Sequence, residues 1–451
     1  MNKTQRDIRD IEFIVSETRR LSAMSAEDLR AFFKGNEQDW LYNLPHPEGR
    51  GMLPCGKEAY FKVGEISRRH LATQGDLSQR VDRERFRKAV TQELARRFLQ
   101  ENRPVDERQT SRMFAAAIRS VKKRVYDLTH FVPCVVFLDK FPDQFEIGPV
   151  KFLWMKDFLE NNHGKIVSRY PELVSKDLIP YYSRFPWVAQ ITVPQCDEPT
   201  SQIRARTTIE GALDALRLLL GKGYTARFRQ GHTPVALTES AALRQDSKGQ
   251  IGFSIHREWQ DKHAPDKWYE KLRQQAGLYL VLIENALGGL QDPSKASHLT
   301  QRFLDGLNWY GQAVKETHSA AAIVKYVAAL ERITMTKEHR TVAETLSRRT
   351  ALLCAKRDKH EYTTRYALAR EIYAWRSKLM HGSISPSNGE LSSICGKAAK
   401  LTRLTLLAGL DFFTVIEIKN HGPLQLISKR STSKLRPWIS LEEIATLISH
   451  L

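Results

Sequence analysis

Cysteine is scarce in this sequence, and the few cysteines present are scattered. Their number is odd, and no two of them form a CxxC pair. This distribution argues against a disulfide framework and against a zinc site, so we expect no bound metal. The five positions are Cys55, Cys134, Cys196, Cys354 and Cys395.

Long apolar runs are lacking as well. The most apolar stretches, such as 278–290 and 404–416, are too short and too interrupted to span a bilayer. The first residues, MNKTQRDIRDIEF, contain no apolar segment of the kind that defines a signal peptide. We therefore expect a soluble, cytoplasmic protein that does not insert into membranes.

The motifs of several enzyme classes are missing. The sequence contains no P-loop, no glycine-rich dinucleotide turn and no GxSxG elbow. It also lacks a convincing carboxylate constellation of the kind that holds Mg²⁺ in metal-dependent nucleases. Any chemistry must therefore use basic and neutral groups, and we expect no cofactor.

Positive charge is what the chain has in excess. Its formal net charge is +19 and its pI is about 9.7. A balance of this size indicates a type of partner more than a fold, and nucleic acid is the commonest partner of so basic a chain. A solvated basic surface without a ligand is the alternative.

The length of 451 residues predicts more than one domain. Charged segments with helical periodicity come first, and Pro104 separates a helix before it from a second one that runs through MFAAAIRSVKKRVYDL, residues 113–128. Segments rich in β-branched residues and turn residues follow. We expect strands within 130–154, at 187–195, within 224–237 and within 249–259, with an amphipathic helix at 209–221.

From residue 266 onward the pattern is helical with short connections, which is typical of a bundle. The predicted fold is thus multi-domain α+β, in which a C-terminal all-α bundle follows a helical and β-containing N-terminal part. We place its regions at 1–130 (helical), 131–262 (α+β) and 263–451 (helical). A strand and a terminal helix are expected in 418–451. The predicted helices of the bundle are 266–289, 297–315, 319–335, 338–357, 362–380 and 390–417.

One stretch, YAWRSKLMHGSIS at 373–385, could carry chemistry. It places His381 five residues after Arg376 and directly before Gly382. A histidine can take the proton of an RNA 2′-hydroxyl or protonate the leaving 5′-oxygen. An arginine can bind the phosphate bidentately and offset the charge of the transition state. Full acid–base catalysis needs two proton-transfer groups, so one such histidine per chain favours a dimer.

The spacing alone does not distinguish an active site from a basic helix end. Five residues of ideal helix turn by about 140° and rise by roughly 7.5 Å, so the two side chains would not share a face. Cations in the last turn also complement the helix dipole, which is the structural alternative. Arginines precede histidines at similar spacing elsewhere, but only Arg376 and His381 lie at the end of a predicted long helix of the bundle. The other pairs are Arg124/His130, Arg227/His232, Arg257/His263 and Arg332/His339.

The stretch YAWRSKLMHG resembles the signature of HEPN domains, most of all the ApeA-type group of bacterial HEPN proteins. IVKYVAALERI at 323–333 resembles that group's "ALE" helix, and SRRTALLCAKRD at 347–358 resembles the helix between the two. The resemblance covers about residues 300–418. Residues 129–154 more weakly resemble the strand segments that precede such domains in long HEPN proteins.

The resemblance implies an all-helical, dimer-forming domain with metal-independent endoribonuclease activity. It also implies a toxin or effector of bacterial defence against phage that stops growth by cleaving RNA (abortive infection), with a phage-derived trigger or an antitoxin as a possible partner. Arg376 would bind the phosphate and stabilise the transition state, and His381 would be the acid–base group, each contributed by both subunits to one composite cleft.

Further residues receive supporting roles from the same resemblance. Ser377 could orient Arg376 or the phosphate, and Glu331 could hold Arg376 by a bidentate pair, unless it is only a structural ion pair or an exposed charge. Lys378 would steer the substrate. The first candidates for RNA backbone contact are Arg348, Arg349, Lys356 and Arg357.

Two other readings remain open. Some HEPN domains bind nucleic acid or nucleotides, or only dimerise, so Arg376 and His381 could bind phosphate without cleaving RNA. Alternatively, the helices of 266–417 could serve as a dimerisation scaffold whose partner carries the activity. Neither alternative is excluded by the sequence.

Overall fold

A computed structural model shows a mixed α+β protein that is mostly helical, with small sheets, as the sequence predicts. The chain divides into two compact units, of which the first comprises 1–128 and 193–204 and the second 129–192 and 205–451. The chain passes between them within strands β3 and β6 and helix α9, defined below. The structure describes residues 2–25, 27–29, 42–46, 51–167, 171–231, 239–245, 251–257, 264–335, 341–355 and 359–421.

The first unit packs helices around one apolar core. Its elements are α1 Lys3–Ser22, β1 Tyr42–Pro45, β2 Met52–Cys55, α2 Lys57–Ala72, α3 Leu77–Arg80, α4 Arg83–Leu94, a π-helical turn Ala95–Gln100 and α5 Glu107–Lys122. Ile14, Val63, Phe86, Phe98 and Met113 form the centre of the core and are 0–1% exposed. The antiparallel pair β1–β2 was not expected from the sequence.

A buried ionic network links α1 to α2 in this unit. Arg69 donates to the carboxylates of Asp7 and Asp10, at 2.7 Å each. His70 shares a 2.7 Å hydrogen bond with Asp7, and its ring stacks on Phe114. Burial lowers the pKa of His70, although Asp7 acts in the opposite direction. The network pairs the Asp7 and Asp10 carboxylates, which would otherwise be costly to bury.

The second unit begins with a five-stranded sheet in the order β4-β5-β6-β3-β7. Lys151 of β5 faces Gln190 of β6 in antiparallel register. Helices lie between β5 and β6 and between β6 and β7. The elements are β3 Tyr126–Val135, β4 Gln144–Ile147, β5 Val150–Trp154, α6 Met155–Val167, α7 Pro171–Leu173, a π-helical turn Val174–Leu178, α8 Ile179–Tyr182, β6 Trp187–Cys196, α9 Glu198–Leu220, α10 Lys222–Thr225 and β7 Arg229–Gln230.

One expectation for this part of the chain is wrong, and another is met by two residues only. The helix expected through residue 128 ends at Lys122, because Tyr126 begins strand β3, and Val and Tyr favour strands once a sheet offers partners. Of the strand expected within 224–237, the described residues contain the two-residue strand β7, and helix α10 occupies the first two positions. The end of the predicted helix 209–221 is confirmed, and Gly221 has a φ of +84° there.

The helical bundle expected at the C-terminal end is present in the described residues. After a separate hairpin, six helices follow one another with short connections. The elements are β8 Glu239–Gln245, β9 Ile251–Arg257, α11 Trp268–Gln291, a 3₁₀ turn Pro293–Lys295, α12 His298–Lys315, α13 Ser319–Thr334, α14 Val342–Cys354, α15 Lys359–Met380 and α16 Leu391–His421. Helix α16 packs against α11 to α15, while α12 packs with α13 and α14 with α15. The elements expected after 421 lie outside the described residues.

Buried charges join the bundle to helix α9. A Cβ at Gly311 of α12 would overlap the Asp214 carboxylate, so only glycine allows this approach. Arg217 is fully buried and contacts Asp214 and Glu210, and Lys315 donates to Glu210 at 2.7 Å. The two cations outweigh the effect of burial and lower the pKa of Glu210 to about 2. This network fixes α9 against α12.

Candidate functional site

The stretch singled out in the sequence forms the C-terminal end of helix α15. The N–H of Ser383 donates to the carbonyl of Lys378 at 2.9 Å, and the N–H of Gly382 donates to that of Leu379 at 3.3 Å. With Gly382 at a φ of +71°, this is a Schellman motif. His381 is the last residue before the glycine, and its N–H donates to the Ser377 carbonyl at 3.0 Å. The motif therefore fixes the backbone of His381.

Arg376 is held by two neighbours. One terminal nitrogen lies 3.8 Å from the carboxylate of Glu331 on α13, and the guanidinium lies over the ring of Tyr373, 5.7 Å from its centroid. Its side chain is 27% exposed. Its Nε is buried and has no hydrogen-bond partner among the residues that the structure describes. The arginine is thus held in place while part of it remains accessible.

The contact between Arg376 and Glu331 differs from the expected bidentate pair. A distance of 3.8 Å is an ion-pair distance but is longer than a hydrogen bond. Burial raises the pKa of Glu331, and the positive charge of Arg376 opposes that shift. Glu331 is therefore near Arg376 as expected, but it forms no bidentate hydrogen bond with the guanidinium.

His381 is exposed, in contrast to Arg376. Its ring makes no hydrogen bond, ion pair or ring contact with any residue that the structure describes. The imidazole is therefore accessible to a ligand. An ideal helix would separate the two positions by about 140° of rotation and roughly 7.5 Å of axial rise.

The other candidates differ in position and exposure. Ser377 is half-buried beside Arg376, and Lys378 is exposed, with its ammonium 5.6 Å from the centroid of the Trp375 ring. Arg348 on α14 is exposed. Lys356 and Arg357 lie outside the described residues.

Arg349 does not fit its expected role as a contact to the RNA backbone. It is 5% exposed, and its guanidinium donates to the carbonyl of Thr334 at 2.7 Å. Arg302 of α12 donates to the carbonyls of Ile333 and Met335, the two residues that flank Thr334. The two arginines thus satisfy carbonyls at the end of α13, which no later helical N–H can reach. This capping role explains why Arg349 is buried.

The sequence reading missed Tyr373 as a neighbour of Arg376. The signal for it was present, because residues three apart on a helix are neighbours on its surface. The role of Arg349 could not be read in the same way. Arg348 and Arg349 are adjacent and chemically identical, and only the packing of α14 decides which of them is buried.

Two further findings concern the described residues. No group of three or more His, Cys, Asp or Glu side chains among them is arranged to hold a metal ion. No helix in that part of the chain is both long enough and apolar enough to cross a membrane.

Comparisons with family models, with curated proteins and with solved structures find no match for this chain.

Proposed function

We propose that this chain is a metal-independent endoribonuclease of the HEPN type, active as a homodimer, that serves as a toxin or effector in bacterial anti-phage defence. The observation that carries the proposal is the pairing of a held arginine with a free histidine at one helix end. Arg376 is fixed against Glu331 and Tyr373, while the exposed His381 ring has no partner in the described residues. The likeness of three successive helices to HEPN elements supplies the reaction class.

The proposed reaction uses the substrate's own nucleophile. The 2′-hydroxyl oxygen bonds to the adjacent phosphorus and gives its proton to the His381 of one subunit. The bond from phosphorus to the 5′-oxygen breaks, and the His381 of the second subunit protonates that oxygen. Arg376 offsets the charge on the phosphoryl oxygens. The products are a 2′,3′-cyclic phosphate and a 5′-hydroxyl end.

The supporting residues contribute to binding and orientation in this proposal. Glu331 limits the positions that Arg376 can adopt, and Ser377 lies beside it as a hydroxyl donor to the phosphate. Lys378 and Arg348 are exposed cations that attract the RNA backbone. The large net positive charge of +19 acts in the same direction over longer distances.

The test compares RNA cleavage in excess EDTA by the wild type, Arg376→Ala, His381→Ala and the control His360→Ala. His360 is an exposed histidine near the start of the same helix, so the control removes the same chemical group. We expect the wild type and the control to cleave, and the two site variants to be slower by at least about 100-fold. This factor is the lower end of the range expected when an acid–base group is lost.

Other outcomes point elsewhere. Equal cleavage by His381→Ala and the wild type would contradict the proposal. A wild type that binds RNA without cleaving it would favour the alternative of a non-catalytic HEPN module that binds nucleic acid or nucleotides. Unchanged cellular toxicity of Arg376→Ala would favour a dimerisation scaffold whose activity lies in a partner.

A further inference from the structure

A basic pocket lies between helices α4 and α5 of the first unit, and it belongs to no role assigned so far. Its volume is about 280 Å³, close to the lower end of the roughly 300–1,000 Å³ range of small-molecule pockets. The polar residues that line it are Arg85, Lys88, Gln92, Ser120, Arg124 and Asp197.

Helix geometry brings these groups to one place. Positions 85, 88 and 92 recur at spacings of three, four and seven, so they share one face of α4. Ser120 lies near the end of α5, and Arg124 lies two residues beyond it. Three cations thus surround one cavity, although like charges at short range repel one another.

Carboxylates of the protein neutralise this cluster only in part. Arg85 pairs with the exposed Glu198 at 2.7 Å. Asp197 is 1% exposed, and its two oxygens accept the N–H groups of Asp82 and Thr200, so it serves the start of α9. The side chains of Lys88 and Arg124 are exposed and have no partner in the described part of the chain.

The lining also suggests the chemistry of a ligand. An arginine fork and a lysine point charge are the usual protein groups for phosphate. The cavity is larger than a phosphate group needs, and the remaining wall is apolar, formed by Ala89 and Val121. Gln92 offers an amide that could hydrogen-bond to a base or a sugar. These features together fit a nucleotide better than an inorganic anion.

We propose that this pocket binds the phosphate group of a nucleotide. Arg85, Lys88 and Arg124 contact the phosphate oxygens, and the sugar or base packs against Ala89 and Val121. The nucleotide is either a free mononucleotide or one unit of an RNA strand, and the phosphate chemistry is the same in both. The inference does not depend on the proposed ribonuclease activity, because the pocket shares no residue with the Arg376 site.

The test measures binding to the full chain by calorimetry with AMP, adenosine and inorganic phosphate. A labelled, 5′-phosphorylated single strand with 2′-O-methyl groups throughout is measured in parallel by fluorescence anisotropy. The methyl groups remove the nucleophile, so cleavage cannot affect the result. The pocket variant is Lys88→Ala/Arg124→Ala. Its matched control is Arg108→Ala/Arg112→Ala, which removes two exposed cations of α5 outside the pocket.

We expect AMP to bind at least ten times more tightly than adenosine. The pocket variant should lose at least ten-fold in affinity for AMP, while the control binds as the wild type does. If only the oligonucleotide binds, and the pocket variant alone weakens it, the phosphate belongs to an RNA strand. Equal affinities of pocket variant and control for every ligand, or no binding of any ligand at millimolar concentration, would overturn the proposal.

Discussion

Arg376 and His381, at the end of α15, differ in burial and in the contacts of their side chains. The arginine is partly buried and held by Glu331 and Tyr373, whereas the histidine is exposed and its ring makes no hydrogen bond, ion pair or ring contact with the described residues. Holding a phosphate ligand requires a fixed group, and proton transfer requires an accessible one. A set of cations that only complemented the helix dipole would need neither property.

Asp411 provides a residue-scale test of the electrostatics of the bundle. It accepts a 3.0 Å hydrogen bond from Tyr279, but its second oxygen is buried and has no partner in the described part of the chain. Burial raises its pKa to about 6, against the effect of that hydrogen bond. From about pH 4 to pH 6 the folded chain therefore holds a proton that the unfolded chain has released. Stability falls as the pH rises through this window.

We expect Asp411→Asn to raise the free energy of unfolding at pH 7 by about 1–2 kcal/mol, because a neutral amide is less costly to bury than a carboxylate. At pH 4 the gain should disappear, since Asp411 is then protonated. Urea unfolding at both pH values measures the difference. Tyr279→Phe, which removes the hydrogen bond but not the charge, should be destabilised at pH 7. A lower stability of Asp411→Asn at pH 7 would contradict this explanation.

At the scale of elements, the helices of the bundle could be predicted from the sequence. The expected helices 297–315 and 362–380 are observed as His298–Lys315 and Lys359–Met380. Apolar residues at helical spacing and the breaks at Ser297 and Gly382 define these ends locally. The short helix α10 and the two-residue length of strand β7 could not be predicted. A strand-like composition does not show how many residues will pair with a neighbouring strand.

The end of α13 offers an element-scale prediction with a built-in control. Arg349 is buried and donates to the Thr334 carbonyl, whereas its neighbour Arg348 is exposed. We expect Arg349→Ala to lower the free energy of unfolding by about 2–3 kcal/mol, because a buried carbonyl loses a charged donor. Arg348→Ala should change it by no more than about 0.5 kcal/mol. Urea unfolding measures the free energy of unfolding of both variants. Equal losses in the two variants would refute the capping role.

The same pair separates stability from RNA binding. If exposed cations on α14 contact the RNA backbone, Arg348→Ala should weaken the binding of uncleavable RNA without affecting folding. The sequence alone assigned one role to both arginines. Only the packing of α14 shows that they can differ.

At the scale of the whole molecule, the proposed chemistry requires two copies of the chain. One histidine per chain supplies one proton-transfer group, and the reaction uses two. We expect light scattering after size-exclusion chromatography to give twice the chain mass of 51.8 kDa. Activity per chain should fall on dilution below the dimer dissociation constant. A monomer that retains full activity would exclude a composite cleft.

The proposed mechanism depends most directly on the 2′-hydroxyl of the substrate. An RNA with one preferred cleavage site is compared with the same RNA carrying a single 2′-deoxy nucleotide on the 5′ side of the scissile phosphate, both in excess EDTA. We predict that the all-ribose substrate is cleaved to a 2′,3′-cyclic phosphate, that the deoxy substitution abolishes cleavage at that site, and that His381→Ala cleaves neither. Cleavage of the deoxy substrate at the same site and rate, or products with a 5′-phosphate, would contradict the proposed role of Arg376 and His381.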